Sequence, residues 1–312
     1  MDATANQVNQ CNTKDVWRGH VAMLFANFCW GAMSPLSKNI LESGLVDGLT
    51  LSVIRILGAT VLMVVAGFFL PESIAPSHEK IERKDWIQIV VASFLMISIN
   101  QGVYIYGIQF TSPVDASIMS TLTPVFTMIC AAILISMPIT WLKGLGVALG
   151  LGGALMMVLG DTGQSEKAIN PMFGNTMCLI AQFCAALYYV LFRNIINRYS
   201  PYTLMKWMFI ASSLTYCLPL SPRLLTCDYA AFTPAMWWSI AYIIVFATFI
   251  GYLLIPYSQR LLKPTVISMY SYFQPVTSAI LATALGLATF GFIKIAATIL
   301  IFAGVFAVSR SK

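Results

Sequence analysis

The sequence predicts an all-α polytopic membrane protein with ten transmembrane helices, arranged as two inverted five-helix repeats. Three observations predict this fold: an apolar composition, a succession of apolar runs of membrane-spanning length, and a repeat of the chain within itself. Of the 312 residues, 58 % are hydrophobic and only 10 % are charged, whereas soluble domains are about 45–50 % apolar and about 25 % charged. The 18 basic and 12 acidic residues are too few to cover a soluble fold of this length.

The apolar runs have the length of ~20 residues that a helix needs to cross a bilayer. Turn-forming residues such as Pro71, Pro138 and Pro264 separate them. The ten predicted spans are 19–40, 48–70, 85–108, 113–136, 140–160, 172–195, 202–220, 235–258, 264–286 and 290–309. The predicted organisation is a tail (1–18), a first five-helix repeat (19–160), a linker (161–171), a second five-helix repeat (172–309) and a tail (310–312).

The distribution of lysine and arginine predicts the orientation. The side that holds both tails carries thirteen basic residues, the opposite side carries four, and Arg55 lies within a span. Because cytoplasmic loops carry an excess of Lys and Arg, both termini are predicted to be cytoplasmic. An even number of spans also places the two termini on one side.

The chain repeats itself. Residues 113–134 match residues 264–285 at an offset of 151, with eight of 22 positions identical. The first spans of the two halves match at an offset of 155. Paired polar and turn-forming positions include Ser120/Ser271, Pro124/Pro275, Gly153/Gly304 and Asn39/Asn194. Five spans are an odd number, so the second repeat is predicted to insert upside down, as in many transporters that bind substrate near the bilayer midplane.

Polar and aromatic side chains near the middle of the spans are the candidates for a substrate-binding cavity, because polar groups are costly in lipid and face the bundle interior. The candidates are Asn27, Trp30, Asn100, Gln101, Tyr104, Thr123, Gln182, Tyr189, Tyr252, Tyr270 and Gln274. The offsets pair Asn27 with Gln182, Gln101 with Tyr252, and Thr123 with Gln274, as a midplane cavity between two repeats would need. For each residue the alternative is structural, because amides and hydroxyls also bridge helices and aromatic rings fill cores.

A second group is predicted to act in gating or structure. It consists of Arg55, Asp115, Pro35, Pro124 and Pro275. Arg55 is predicted to reach the outer interface or to pair with Asp47 or Asp115. Asp115 opens the fourth span, where a carboxylate favours a helix N-terminus, and substrate binding is its alternative role. The prolines are predicted kink points that free carbonyl groups.

Two further sets of residues are predicted to be structural. Small residues of the fifth span are expected to let another helix approach closely: Gly144, Gly146, Gly150, Gly152 and Gly153. Three tyrosines are expected to face lipid or the interface: Tyr188, Tyr199 and Tyr202.

The chain resembles the drug/metabolite transporter superfamily, EamA type, over about residues 19–309. The likeness lies in Trp30-Gly31, in Arg55, in the segment 111–124 (TSPVDASIMSTLTP) and in its repeat copy, residues 263–275. The resemblance implies export or exchange of amino acids, other small metabolites or drugs across a bacterial inner membrane or a plasma membrane. It also implies a central cavity lined by spans 1, 3, 4, 6, 8 and 9.

These observations predict a transporter rather than an enzyme. No Asp or Glu stands at the centre of a span, which favours a facilitative exporter or exchanger without a buried carboxylate relay. Amide and tyrosine groups suit the backbone of an α-amino acid. A multidrug exporter of lipophilic compounds is the alternative, and an intramembrane enzyme is a remote one, because His20 and His78 have no catalytic partners at recognisable spacing. The predicted partners are a small-molecule substrate and the lipid bilayer, with no nucleic acid, metal or cofactor, and with a monomer as one permitted state.

Overall fold

The computed structural model describes residues 13–76, 79–111, 116, 119–159, 170–284 and 292–310, most of which are helical. The helices of the first half are α1 (Thr13–Glu42), α2 (Gly48–Phe69), α3 (Arg83–Phe110), α4 (Thr123–Leu134) and α5 (Trp141–Leu159). Those of the second half are α6 (Pro171–Leu191), α7 (Pro201–Ser212 with Ser213–Cys217 and Leu218–Leu220), α8 (Pro234–Leu261), α9 (Pro264–Met269, Tyr270–Tyr272 and Phe273–Ala284) and α10 (Phe292–Arg310). A short helix, Arg193–Arg198, links α6 to α7.

Polar side chains define where several helices begin. Asp47 caps α2 by accepting the backbone N–H of Thr50 at 2.8 Å. Asn170 and Ser200 cap α6 and α7 in the same way, and each precedes a proline in the first helical turn. Such caps satisfy N–H groups that have no partner within the helix, and proline fits there because it lacks an N–H.

Within the described residues, four helices are long and apolar enough to cross a membrane: Gly48–Phe69, Arg83–Phe110, Met172–Leu191 and Pro234–Leu261. Large apolar side chains such as Phe68, Phe69 and Trp141 are more than 80 % exposed on the outside of the bundle. An apolar outer surface of this kind belongs in lipid, so the protein is an integral membrane protein. The sequence predicts ten spans, and these helices support four of them; the count of ten stays a prediction.

The two halves are interleaved rather than placed side by side. Helix α1 packs against α8 and α9, whereas α6 packs against α3 and α4. The repeat offsets relate α1 to α6, α8 to α3, and α9 to α4, so these contacts are equivalent. The first helix of each half therefore lies among the third and fourth helices of the other half.

Helices next to the centre depart from regular α geometry at related positions. Helix α3 has π-helical hydrogen bonding at Phe94–Val103, and α8 has it at Ile243–Ile250. Helix α9 changes to a 3₁₀ turn at Tyr270–Tyr272, and a turn at residues 121–122 precedes α4. Such irregular turns are frequent at functional sites, and these four lie around the centre of the bundle.

The prediction that three tyrosines face lipid or the interface is wrong. Tyr188, Tyr199 and Tyr202 are buried. The hydroxyl of Tyr199 donates to Asp85 at 2.7 Å, that of Tyr202 donates to the carbonyl of Met63, and the ring of Tyr188 stacks on its neighbours in the core. For Tyr199 and Tyr202, partners distant in sequence, which local sequence does not reveal, account for the burial.

Glycines bring α5 and α10 into close contact. A methyl group at Gly304 would lie 2.6 Å from the carbonyl oxygen of Gly146, and one at Gly153 would lie 2.7 Å from that of Ala297. In contrast, Gly144 and Gly152 face open space within the described part of the chain. The expected close approach therefore involves some of the glycines of α5 but not all of them.

We expect Gly304→Ala to destabilise the protein by about 1–3 kcal/mol, because the added methyl group must push two backbones apart. Gly152→Ala is the matched control and should leave the melting temperature unchanged or slightly higher, because alanine favours a helix. Thermal unfolding in detergent measures both. Equal melting temperatures for the two variants would show that the backbones are not in contact.

Candidate functional site

A cavity lies halfway along α1, between helices of both halves, and has a volume of about 60 Å³. Ten of the eleven predicted substrate-binding residues line it. They are Asn27, Trp30, Asn100, Gln101, Tyr104, Thr123, Gln182, Tyr189, Tyr252 and Gln274. Side chains scattered over the sequence thus come together at one place, where their polar groups are screened from lipid.

Two hydrogen bonds across the cavity are equivalent in the two halves. The amide of Gln274 in α9 donates to the Asn27 side-chain oxygen in α1 at 3.0 Å. The hydroxyl of Thr123 in α4 donates to the Gln182 side-chain oxygen in α6 at 2.8 Å. The repeat offsets exchange Asn27 with Gln182 and Gln274 with Thr123. The same connection, from the first helix of one half to the fourth helix of the other, is therefore made twice.

Aromatic side chains form one wall of the cavity. The indole N–H of Trp30 donates to the carbonyl of Ala247 at 2.6 Å, and its ring meets the edge of Tyr252 at 5.8 Å between centroids. The hydroxyl of Tyr252 donates to the Asn100 side chain at 3.4 Å. A methyl group at Gly251 would lie 3.0 Å from the indole nitrogen. The wall therefore depends on a glycine in α8 that leaves room for the indole ring.

The structure corrects the expected position of Arg55. Its side chain lines the cavity and is 1 % exposed, so it does not reach the outer interface. Its Nε and Nη2 atoms both donate to the hydroxyl of Thr248 at 3.2 Å. Of the two expected partners, Asp47 pairs with Arg223, and Asp115 lies outside the described residues, so a pair with Asp115 stays a prediction. Arg55 stands eight residues beyond Asp47, about 12 Å along the helix, which takes the guanidinium down into the bundle.

Three side chains at the cavity carry polar atoms that have no hydrogen-bond partner among the described residues. They are Arg55, through its Nη1 atom, Gln101, through both the oxygen and the nitrogen of its amide, and Ser271, through its hydroxyl oxygen. Gln101 is only 3 % exposed. Buried polar groups are usually paired, and exceptions often mark a place for a ligand or water.

Tyr270 is the predicted binding residue that does not line the cavity. It lies in the 3₁₀ turn of α9, where its hydroxyl is 2.6 Å from Nδ1 of His20 and its ring stacks on Phe273. Tyr270 and Gln274 are four residues apart and would share a face of a regular α-helix, which has 3.6 residues per turn. A 3₁₀ turn has three residues per turn, which brings Ser271, rather than Tyr270, onto the cavity side with Gln274.

Several lining residues are absent from the predicted set. Besides Arg55, they are Met33, Met96, Ser120, Ala185, Ile267, Ser268 and Ser271. The sequence holds a signal for the serines, because Ser120 and Ser271 occupy equivalent positions of the two repeats. The apolar members have no such signal, since methionine, alanine and isoleucine fill every span.

The other gating candidates are placed as follows. Pro124 and Pro275 directly follow Thr123 and Gln274, so each proline stands next to one of the two equivalent hydrogen bonds. Pro35 lies inside α1. Asp115 is outside the described residues, and its capping role stays a prediction.

The polar part of the lining consists of amides, hydroxyls and the guanidinium of Arg55, and aromatic and aliphatic side chains make up the rest. Within the described residues, no acidic side chain lines the cavity, and no three His, Cys, Asp or Glu side chains come together to hold a metal ion. The described lining can donate and accept hydrogen bonds and carries one positive charge.

A separate polar network joins the two halves on the side predicted to be cytoplasmic. Glu79, before α3, accepts the backbone N–H of Ser200 at 2.8 Å and its hydroxyl at 2.6 Å. Asp85 accepts Arg198 and the hydroxyl of Tyr199. Burial alone would raise the pKa of Glu79, but the hydrogen bonds from Ser200 lower that pKa below its ordinary value of 4.5. The ionised form of Glu79 is therefore the one that this network favours.

A bundle of apolar helices around a polar cavity at half depth is the arrangement of a membrane transporter. The sequence model of the EamA-like transporter family matches residues 17–159 and again residues 172–310. The chain therefore belongs to the EamA-like transporter family, with one family repeat in each half.

Individual proteins are also similar to this chain. YyaM of Bacillus subtilis (strain 168), described as an uncharacterized transporter, is 22 % identical over 230 residues, which is 74 % of either chain. Protein WALLS ARE THIN 1 of Arabidopsis thaliana is 29 % identical over 164 residues, 51 % of this chain and 41 % of that protein. A solved crystal structure matches 95 % of this chain and 99 % of its own with a TM-score of 0.73 at 14 % identity, which shows a shared fold.

We predict that double-mutant cycles detect the two equivalent hydrogen bonds. Asn27→Leu combined with Gln274→Leu, and Thr123→Val combined with Gln182→Leu, should each show a coupling of about 0.5–1.5 kcal/mol in the unfolding free energy. Asn27→Leu combined with Thr123→Val is the control and should be additive. Unfolding in mixed micelles gives the free energies. Coupling in the control pair, with none in the two hydrogen-bonded pairs, would contradict both hydrogen bonds.

We also predict a pH-dependent contribution from Glu79. Because its pKa is lowered by folding, ionised Glu79 stabilises the protein above pH 4.5, and this contribution is lost as pH falls through the lowered pKa. The difference in melting temperature between wild type and Glu79→Gln should therefore be constant near neutral pH and shrink in acid. Glu82→Gln, which removes an exposed ion pair with Lys84, should change the melting temperature little at any pH. A wild-type advantage over Glu79→Gln that persists in strong acid would refute the role of the charge.

Proposed function

We propose that this protein exports or exchanges small metabolites, amino acids above all, by alternating access around the central cavity. The observation that carries the proposal is the cavity itself, which collects polar side chains from equivalent helices of both halves. Burying polar groups in the middle of a membrane costs free energy, and a role in binding substrate explains why they are present.

The equivalent hydrogen bonds support alternating access. If the halves are inverted repeats, the Asn27–Gln274 bond and the Thr123–Gln182 bond are related by an axis in the membrane plane. A movement that changes one connection then has a mirror movement that changes the other. Pro124 and Pro275 stand beside these bonds, next to breaks in helical geometry, where bending costs least.

The chemistry of the lining supports a small polar substrate. Amide and hydroxyl groups can bind the ammonium and carboxylate groups of an amino acid, while Trp30 and Tyr252 offer a surface for an apolar side chain. A volume of about 60 Å³ holds only a few water molecules, so the site must widen to admit substrate. The alternative, a multidrug exporter of lipophilic cations, is disfavoured because the guanidinium of Arg55 would repel a cation.

The remaining features of the proposal concern coupling and orientation. A facilitative mechanism fits the absence of Asp and Glu from the span centres in the sequence, because proton coupling uses titratable groups within the membrane. We place both termini in the cytoplasm on the basis of the lysine and arginine distribution. In this orientation, the Glu79–Ser200 network lies at the cytoplasmic end of the bundle.

Efflux from proteoliposomes tests the proposal. Vesicles loaded with amino acids and small metabolites should release a few amino acids selectively, whether or not a pH gradient is present, with mass spectrometry identifying what escapes. Gln182→Leu should slow this release about tenfold, because it removes hydrogen bonds at the cavity. Gln88→Leu, which changes an exposed glutamine of α3, should not.

Two results would contradict the proposal. Release of lipophilic cations alone, and only with a pH gradient, would establish the multidrug alternative. No release of any compound above that from protein-free vesicles would mean that the cavity does not serve transport of these metabolites.

A further inference from the structure

We propose that Arg55 binds a carboxylate group of the transported substrate, so that the substrates are carboxylates. This inference rests on the proposed transport function and specifies the group that is recognised. The proposal begins from the position of the guanidinium, which is 1 % exposed and lines the cavity. No salt bridge joins it to an acidic side chain of the described residues.

A buried cation without a counter-charge is costly, because burial removes hydration that a neutral hydroxyl replaces only in part. Among the described residues the guanidinium has only a neutral partner, since Nε and Nη2 share the hydroxyl oxygen of Thr248. A carboxylate in the cavity would supply the missing charge. The guanidinium is suited to it, because its planar fork matches the two oxygens of a carboxylate.

The side chain is held in position for such a ligand. The hydroxyl of Thr248 donates to the carbonyl of Ile243 at 2.7 Å, which leaves its oxygen to accept from Arg55. Thr248 lies in the π-helical part of α8. Two nitrogens of Arg55 are thereby fixed, and Nη1 keeps its hydrogens without a partner among the described residues. A fixed donor loses less freedom on binding than a mobile one.

Gln101 provides a second unpaired group at the same cavity. Its amide is buried, and neither its nitrogen nor its oxygen has a partner in the described part of the chain. The nitrogen can donate to a carboxylate oxygen, whereas the oxygen can accept from an ammonium or hydroxyl group of the same substrate. Unpaired donors on α2 and α3 thus face one cavity, and an anion with acceptor oxygens satisfies both.

The test uses proteoliposomes loaded with the common amino acids, lactate, malate, succinate, choline, putrescine and glucose. We expect every compound that the wild-type protein releases to carry a carboxylate. Arg55→Gln should slow release about a hundredfold, because a charge-assisted pair is lost. Arg55→Lys should retain part of the activity, since it keeps the charge without the fork. Arg18→Gln, which changes an exposed arginine of α1, should transport as the wild type does.

The outcomes separate this inference from the proposed function. Release of choline, putrescine or glucose, or unchanged release by Arg55→Gln, would overturn the carboxylate site while leaving a transporter. No release from wild-type vesicles would overturn both. Thermal unfolding checks that each variant is folded. If Arg55→Gln does not fold, Arg55→Lys and Thr248→Val decide, because both keep a cation and should still lower the release of carboxylates several-fold; unchanged release in both would reject the site.

Discussion

The lack of hydrogen-bonding partners in lipid is the constraint on which the rest of this structure depends. Polar side chains within the spans must be satisfied inside the bundle, and Asn27, Gln182 and Gln274 are satisfied by helices of the opposite half. The same bonds that remove the cost of burying these groups tie the two halves together. Among the described residues, the cavity lies where this pairing is incomplete, at Arg55, Gln101 and Ser271.

The bundle combines a tightly packed part with a part of irregular geometry. Helices α5 and α10 meet backbone to backbone at Gly146 and Gly304 and leave little room for relative motion. Around the cavity, by contrast, the π-helical turns of α3 and α8 and the 3₁₀ turn of α9 interrupt regular hydrogen bonding. Movement during transport is therefore expected in the helices that line the cavity, with the α5–α10 pair as a fixed support.

The charged groups divide between the surface and the centre in a way that matters for function. Glu79 and Asp85 hold together the loops on the predicted cytoplasmic side, where water and basic residues are close. Among the described residues, Arg55 is the only charged side chain that lines the cavity, and a hydroxyl is its partner. Paired charges thus stabilise one end of the bundle, whereas the charge in the middle has no opposite charge beside it in the described part of the chain.

The sequence by itself determined the class of fold, because apolar composition and run length follow directly from the requirement to cross lipid. It also determined most of the candidate site, since polar residues in the middle of a span, such as Asn27 and Gln182, are costly in lipid and therefore face the interior of the bundle. The tertiary structure decided the positions of side chains that the helical spacing of the sequence cannot predict. The 3₁₀ turn moved Tyr270 away from the cavity, and distant partners drew Tyr199 into the core. Arg55 binds Thr248, which is 193 residues away in sequence, because helix packing, rather than local spacing, selects which side chains meet.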